Sequence, residues 1–539
     1  MVHRREWERF AASAMTSRMT RRTFLGAMAA SAVLVACDSG SGSSGRSTTT
    51  VPSVPVPSLP DNPFTLGVAS GDPAPDGFVL WTRLAPNPLE FGGGMPEVEA
   101  PVRWFVATDE DMRDVVREGY VVTGPDRAHA VHAIVDGLEP DRPYWFRFAI
   151  GDHESEIART RTFPAADREP DRLRFGFVSC QNYTDGFYDA YRDLATYDLD
   201  LVVHLGDYIY ESGLDGVRPH DRQEVITLDE YRARYALYKS DVHLRAAHAI
   251  APWLVTWDDH EVENNYTGYA FESGSTTPDP EEFRARRAAG YRAWWEHTPT
   301  RLAAPTGPDF SIHRRADFGR LARFHVLDTR QFRSDQPCAP DSDIGDQCEA
   351  AFDPAIVTLG AEQERWLFDG LDESDATWNV LAQQIVFSYL DFVPGDVDIY
   401  NLDQWDGYPA ARARILEHLA TTTPSNPVVI TGDIHASGVA RVLADFADPS
   451  SAVVGSEFVG TSISSGGSSE LEAVVPLAVA NNPHVQWADA SKRGWVYCDV
   501  TAEQWNAEYR HVDDATIEGS EVRTATRWVI ESGRPVEEA

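Results

Sequence analysis

The strongest constraint on this chain is a series of short apolar runs, each of which stops at a polar cluster. LVVHLG, ending at Gly206, is followed at once by Asp207-Tyr208-Ile209-Tyr210-Glu211. The other runs end at Ser179-Cys180-Gln181-Asn182, at Asp258-Asp259-His260-Glu261 with Val262-Glu263-Asn264-Asn265 behind it, at Asp328-Thr329-Arg330-Gln331, and at Gly432-Asp433-Ile434-His435. Unbroken apolar runs of this length suit strands buried on both faces. Helix-like stretches such as FRARRAAGYRAWWEHT and GAEQERWLFDGL lie between several of them. Strands mixed with helices predict a layered α/β domain over residues 170–520. Ligands of such sheets bind beyond the carboxyl ends of the strands, where these polar clusters fall.

Residues 61–165 follow another rhythm. GFVLWTRL, VRWFVATD, HAVHAIV and YWFRFAI are short alternating runs separated by Asp, Pro and Gly. They predict a small antiparallel β-sandwich in front of the α/β domain, with a packing or positioning role. Residues 521–539 read as a polar tail. At the other end, residues 1–37 read as an export address. Thr20-Arg21-Arg22-Thr23-Phe24-Leu25 matches the twin-arginine pattern, and Leu34-Val35-Ala36-Cys37 matches a lipobox that would lipidate Cys37. The alternative for Cys37 is a chance cysteine in a plain cleaved signal. Residues 38–60, rich in Ser, Gly, Thr and Pro, read as a flexible linker. The address predicts a cell-surface or periplasmic location, with membrane attachment through the lipid alone. The formal net charge of −37 disfavours nucleic-acid binding and would repel anionic substrates, unless the site supplies cations of its own.

Five strand ends carrying Asp, Asn, Tyr, His and Cys in one domain point to a shared metal or catalytic site. Carboxylate, amide and phenol oxygens are hard donors, imidazole is borderline and thiolate is soft, so the mixture suggests two or more unlike metals. Paired CxxC, HExxH and GxSxG motifs are absent, which argues against structural zinc, a zincin and a serine hydrolase.

The order of these motifs resembles the metallophosphoesterase superfamily, whose pattern is D-x-H, G-D, G-N-H-E and G-H-x-H. Here the G-D is Gly206-Asp207, the third position is Asp258-Asp259-His260-Glu261, and the last is Gly432-Asp433-Ile434-His435. Cys180 stands in the first motif and Asp433 replaces a histidine. Those departures, with GDYIYE, WDDHEVENN and LDTRQFR, look like the PhoD-type alkaline phosphatases, a family that also has a small β-sandwich and twin-arginine export. The resemblance implies an exported phosphatase acting on phosphomonoesters, phosphodiesters or both. It also implies one ferric ion, Fe(3+), and calcium, Ca(2+). Carried over by position, Cys180, Asp207, Tyr210 and His435 hold the iron. Asp207 bridges to calcium, with Asp259 and Asp433 as further ligands. Either Asp258 or Asp259 is the ligand; Asp258 is otherwise a partner that orients His260. Asn264 and Arg287 are candidates for holding phosphate oxygens, with Arg286 close behind and Arg330 and Arg333 read chiefly as salt-bridged arginines. His260 is the candidate acid for the leaving oxygen, and a water activated by metal is the expected nucleophile. The substrates expected are organic phosphates, a wall polymer or a phospholipid, handled by a monomer. Rival readings are a phospholipase D-like phosphodiesterase on the same scaffold and a polymer-binding surface lipoprotein with a degenerate site.

Cys338 and Cys348 flank the acidic stretch CAPDSDIGDQC. In an exported protein they predict a local disulfide, with a calcium loop as the alternative. Cys498 sits in a strand-like run and reads as buried and inert.

Overall fold

The computed structural model describes residues 52–539 apart from 214–215, 221–223, 272–274, 339–342, 396–397 and 468. The export address, Cys37 and the start of the linker lie outside the described residues.

The α/β expectation holds. A ten-stranded mixed sheet and a seven-stranded mixed sheet are built around the apolar runs. In the first, Leu173–Val178, Leu201–His204 and Trp253–Val255 lie parallel and side by side. In the second, Ala322–Val326, Trp378–Ala382, Pro427–Thr431 and Val453–Val459 do the same. The core between the sheets takes Phe175, Phe177, Leu201 and Val203 from one, and Phe324, Val380, Ile430 and Phe458 from the other. Val202, one residue out of phase, faces the opposite way. It joins a second core with Tyr235 of helix Leu228–Lys239 and Trp294 of helix Pro280–His297. Leu381 and Val429 of the other sheet pack likewise on Leu367 and Ile415, from helices Gly360–Asp372 and Pro409–Thr422. Side chains alternate along a strand, so a run buried on both sides must be apolar throughout. Among the described residues no helix is long and apolar enough to cross a membrane.

The amino-terminal region contains two facing sheets, but one of them is not its own. Ala100–Ala107, Val115–Thr123, Pro143–Ile150, His153–Glu154 and Ala158–Arg161 form a separate five-stranded sheet. Val68–Ala74, Gly77–Arg83 and Ala130–Val135 face it across a core of Val68, Phe78, Leu80, Val102, Phe146 and Phe148. These three strands also continue the ten-stranded sheet, where Gly71 pairs with Trp253. A Cβ at Gly71 would stand 2.3 Å from the Pro299 carbonyl oxygen and 2.6 Å from that of Trp253, so the junction needs glycine.

The polar tail expected at 521–539 is instead the far edge of the same sheet. Val522–Glu531 and Val536–Glu538 are strands, and Ile530 and Val536 reach the inter-sheet core. VRTATRWVIE is half-buried in alternation, and its exposed residues gave it the composition of a tail. Cys338 and Cys348 are disulfide-bonded, with Cα atoms 5.3 Å apart. Cys498 is buried in the inter-sheet core as expected, and burial pushes its thiol well up.

Candidate metal centre

Every polar cluster follows the carboxyl end of a strand, and the turns that carry them are tight. Cys180, Asp207, Asp433 and His435 have φ of 55°, 55°, 64° and 56°, a left-handed backbone that non-glycine residues adopt at a cost. Hydrogen bonds to neighbouring turns hold them there. Cys180 N–H donates to Gly206 O (3.1 Å), Gln181 N–H to Asp207 O (3.0 Å), and Gly432 N–H to Gln384 O (2.8 Å). Glu261 is the central brace. Its buried carboxylate accepts the N–H groups of Asp207 (3.1 Å), Tyr208 (2.6 Å) and Asp258 (2.8 Å), tying two ligand loops together. Gly206, at φ 114°, lets those loops touch, since a Cβ there would lie 2.6 Å from Asp258 N.

Three side chains converge with Asp207 on one side. Ligand atoms of Cys180, Asp207 and His435 lie within 4.8 Å of one another. The Tyr210 hydroxyl donates to Asp207 Oδ2 (2.9 Å), stands 3.0 Å from His435 Nε2, and accepts from Ser465 Oγ (2.8 Å). His435 Nδ1 is 2.9 Å from Gly466 O, so it donates there and leaves Nε2 with its lone pair facing the group. Burial, with the Asp207 charge behind it, pushes the Cys180 thiol and the Tyr210 phenol well above their ordinary pKa values. Neither would ionise at neutral pH without a cation.

Carboxylates dominate the other side. Ligand oxygens of Asp258, Asp259 and Asp433 lie within 4.8 Å, and Asp207, Asp259 and His260 form an overlapping group. The fully buried Arg330 reaches Asp258 through Nε, Asp403 through Nη1 (2.7 Å) and Asp433 through Nη2 (2.8 Å). Asp259 Oδ2 accepts Asn265 N–H (2.6 Å), from a residue at φ 52°. Its Oδ1 accepts no hydrogen bond, with Arg330 Nη2 standing 3.4 Å off. Asp207 Oδ1 is buried with no hydrogen-bond partner at all. Two buried carboxylate oxygens left open beside a thiol, a phenol and an imidazole fit a site for cations. Burial raises the Asp207, Asp258 and Asp433 carboxyls. Asp259 is held well below the ordinary range because Arg330 and His260 outweigh its burial.

Between the two candidate ligands, Asp259 has the open oxygen and belongs to both groups, whereas Asp258 is tied to Arg330. Asp258 does not orient His260 either. His260 Nδ1 is 2.6 Å from Glu211 Oε2, which also ties in Asn264 N–H through Oε1 (3.2 Å), and the imidazole stacks on Tyr210 with centroids 4.0 Å apart. Burial alone would lower the His260 pKa. Glu211, Asp259 and Asp207 overcome it and raise the pKa well above its ordinary value.

The arginines depart from expectation. Arg287 donates to Pro308 O (2.8 Å), Gly268 O and Asp309 Oδ1 (2.9 Å). Arg286 is committed to Tyr231, Thr277, Glu224 and Glu263. None of these partners belongs to the groups that could hold a metal. Arg333 binds Asp403, with Arg330, as a structural arginine. Sequence reasoning missed Glu211, Glu261, Asp403, Gln404 and Ser465 as parts of the site. The first two lie inside the quoted clusters as acids in apolar surroundings, a usable signal. Asp403, Gln404 and Ser465 lie in irregular segments and carried none.

Comparison with known proteins agrees over nearly all the described chain. Residues 175–509 match the family model of PhoD-like phosphatase, and residues 50–164 match that of the PhoD-like phosphatase N-terminal domain. Alkaline phosphatase D of Bacillus subtilis (strain 168) is 46% identical over 485 residues, covering 88% of this chain and 82% of the relative. A solved structure titled "Structure of PhoD" superposes with a TM-score of 0.86 at 45% identity, over 90% of this chain and 93% of that one. GAP50, the anchor in the inner membrane complex of Plasmodium, covers 66% of this chain and 89% of its own at 11% identity, with a TM-score of 0.34.

Proposed function

The chain belongs to the PhoD-like phosphatase family and is a phosphoric ester hydrolase of the alkaline phosphatase type; from that premise we propose that it works with ferric iron on one side of Asp207 and calcium on the other. The observation that carries this reading is the convergence of the Cys180 thiol, the Tyr210 phenol and His435 Nε2 on Asp207, whose own Oδ1 is open. Cys180, Asp207, Tyr210 and His435 would hold iron, which suits phenolate and thiolate together. Asp207, Asp259 and Asp433 would hold calcium, a hard cation that selects oxygen. When bound, the cations make water acidic enough to attack phosphorus near neutral pH and offset the charge on the phosphoryl oxygens.

The chain's own groups do the rest. Glu211 accepts from His260 Nδ1, and in the imidazolium form, which Glu211, Asp259 and Asp207 favour, Nε2 carries a second proton that can pass to the leaving oxygen. The Glu211 carboxylate beside it favours the charged ring and so helps hold that proton on His260. The Asn264 amide donates to a phosphoryl oxygen, its backbone fixed by Glu211. With Arg287 and Arg286 committed elsewhere, the phosphate charge is met chiefly by the cations and His260. The fold matches that of the solved PhoD structure, and the converging donor set argues against a degenerate binding protein. Export by the twin-arginine route and a lipid on Cys37 rest on the sequence motifs; fractionation of a Cys37→Ser chain tests the anchor, and retention at the membrane would refute it.

The test of function is hydrolysis by metal-replete enzyme of nitrophenyl phosphate, bis(nitrophenyl) phosphate, an alkyl phosphate and phosphatidylcholine. His260→Ala should reduce the alkyl phosphate rate by about 10²–10⁴-fold and the nitrophenyl rate much less. Equal losses would remove His260 as the acid, and no hydrolysis of any ester would refute the reading.

A further inference from the structure

The segment closed by the Cys338–Cys348 disulfide touches the carboxylate side of the centre from two directions. Asp343, inside the closed loop, accepts from Asn265 Nδ2 through its carboxylate. Asn265 is the residue whose backbone N–H, in a left-handed conformation, donates to Asp259 Oδ2. The same Asp343 accepts Leu402 N–H on its carbonyl oxygen. Ile344 and Gly345 then pair antiparallel with Asn401 and Tyr400. Asn401 Oδ1 in turn accepts the N–H of Asp403 (3.0 Å). Next along the chain stand Asp403, which holds Arg330 and Arg333, and Gln404, whose Nε2 donates to Asp433 Oδ2 (2.5 Å). Gln336, on the other side of Cys338, donates to Asp403 Oδ1 (2.8 Å), and Gln347 donates to Asp406 O (2.7 Å). Residues 343–347 therefore connect the turn that places Asp259 with the turn that places Asp433.

We propose that residues 343–347, tied back by the Cys338–Cys348 disulfide, are a positioning clamp for the calcium side of the centre, acting on Asp259 through Asp343 and Asn265 and on Asp433 through Asp403 and Gln404. Asp343 and the two cysteines are positioning residues and touch neither metal nor substrate. The physical reason is the left-handed Asn265. Its backbone is costly by itself and persists because both its N–H and its side-chain amide are held. Losing the Asp343 acceptor frees one of those anchors, and opening the disulfide frees the acceptor. Partners one step behind a metal ligand change affinity by about 10–100-fold when removed. This inference rests on the proposed calcium site.

The test is calcium titration of iron-loaded enzyme, read by calorimetry, with the visible iron absorption recorded on the same samples. Wild-type, Asp343→Ala, Asp343→Asn and Cys338→Ser/Cys348→Ser chains are compared. The expected result is calcium affinity about 10–100-fold weaker in Asp343→Ala and in the double serine variant. Asp343→Asn, which keeps an acceptor oxygen, should stay near wild type, and the iron band should not change in any of them. Unchanged calcium affinity in Asp343→Ala, or loss of iron in step with calcium, would overturn the clamp alone. A wild-type chain that binds no calcium would remove the proposed function and the clamp with it.

Discussion

On one side of Asp207, a phenol and an imidazole contact each other and are held by Ser465 and Gly466, beside a thiol that donates to Ser179 Oγ (3.2 Å). On the other, Asp258, Asp259 and Asp433 gather at a buried arginine. Both sides bury groups that must lose protons to bind metal, but they manage that charge differently. The carboxylate side carries a permanent counter-charge in Arg330, so it is partly neutralised whatever ion is bound. The thiol–phenol side stays neutral until a strongly charged cation draws the protons off. The first arrangement suits a weakly held, exchangeable ion and the second a tightly held one. Asp207 joins them, with one oxygen hydrogen-bonded to Tyr210 and the other open.

The largest break in this comparison is Asp207→Asn, which removes the carboxylate common to two of the candidate metal-holding groups. Activity should fall by at least about 10³-fold, beyond what one charge-stabilising donor contributes. Both metals should be lost while circular dichroism stays unchanged. Loss of one metal only would show that Asp207 does not bridge.

Removing the built-in counter-charge tests the carboxylate side. Arg330→Ala leaves Asp258 buried without its arginine and Asp403 with Arg333 alone, and breaking a buried pair such as Arg330–Asp258 costs about 3–5 kcal/mol. Denaturant unfolding should show that loss in metal-free protein, and added calcium should recover part of it. A variant as stable as wild type would mean that these carboxylates are already protonated.

A smaller effect concerns pH. In metal-free protein, burial raises Glu261 to about 7 against the pull of the three N–H groups it accepts, and it raises Asp207 and Asp433 as well. A raised carboxyl holds protons in the folded state that the unfolded chain has released. Stability of the metal-free form therefore falls as pH climbs from the ordinary carboxylate range to about 7. Stripping metal with a chelator should lower Tm more at pH 8 than at pH 5. Equal shifts at the two pH values would contradict this.

The catalytic strands were legible because runs such as LVVHL are apolar on both faces, and their ends could be read because five of them stop at donors. Cys180, Asp207, Tyr210, Asp259, Asp433 and His435 meet in space as the resemblance implied. What escaped depends on pairing across the fold. Nothing in VASGDPA announces that Gly71 will join Trp253 and fuse the amino-terminal strands to the main sheet. VRTATRWVIE hides a half-buried period of two under polar composition. Arg287 is a phosphate-binding candidate by its chemistry alone, but what a guanidinium binds is decided by carbonyls distant in sequence, here Pro308 and Gly268.

The central claim is that Tyr210 and Cys180 are ligands of an iron distinct from the calcium on the other side of Asp207. Elemental analysis with visible spectroscopy of wild-type, Tyr210→Phe and Cys180→Ala enzyme tests it most directly. The account predicts about one iron per chain, a visible ligand-to-metal band that shifts or vanishes in Tyr210→Phe, and calcium retained in both variants. Colourless, iron-free wild-type enzyme with full activity would contradict it.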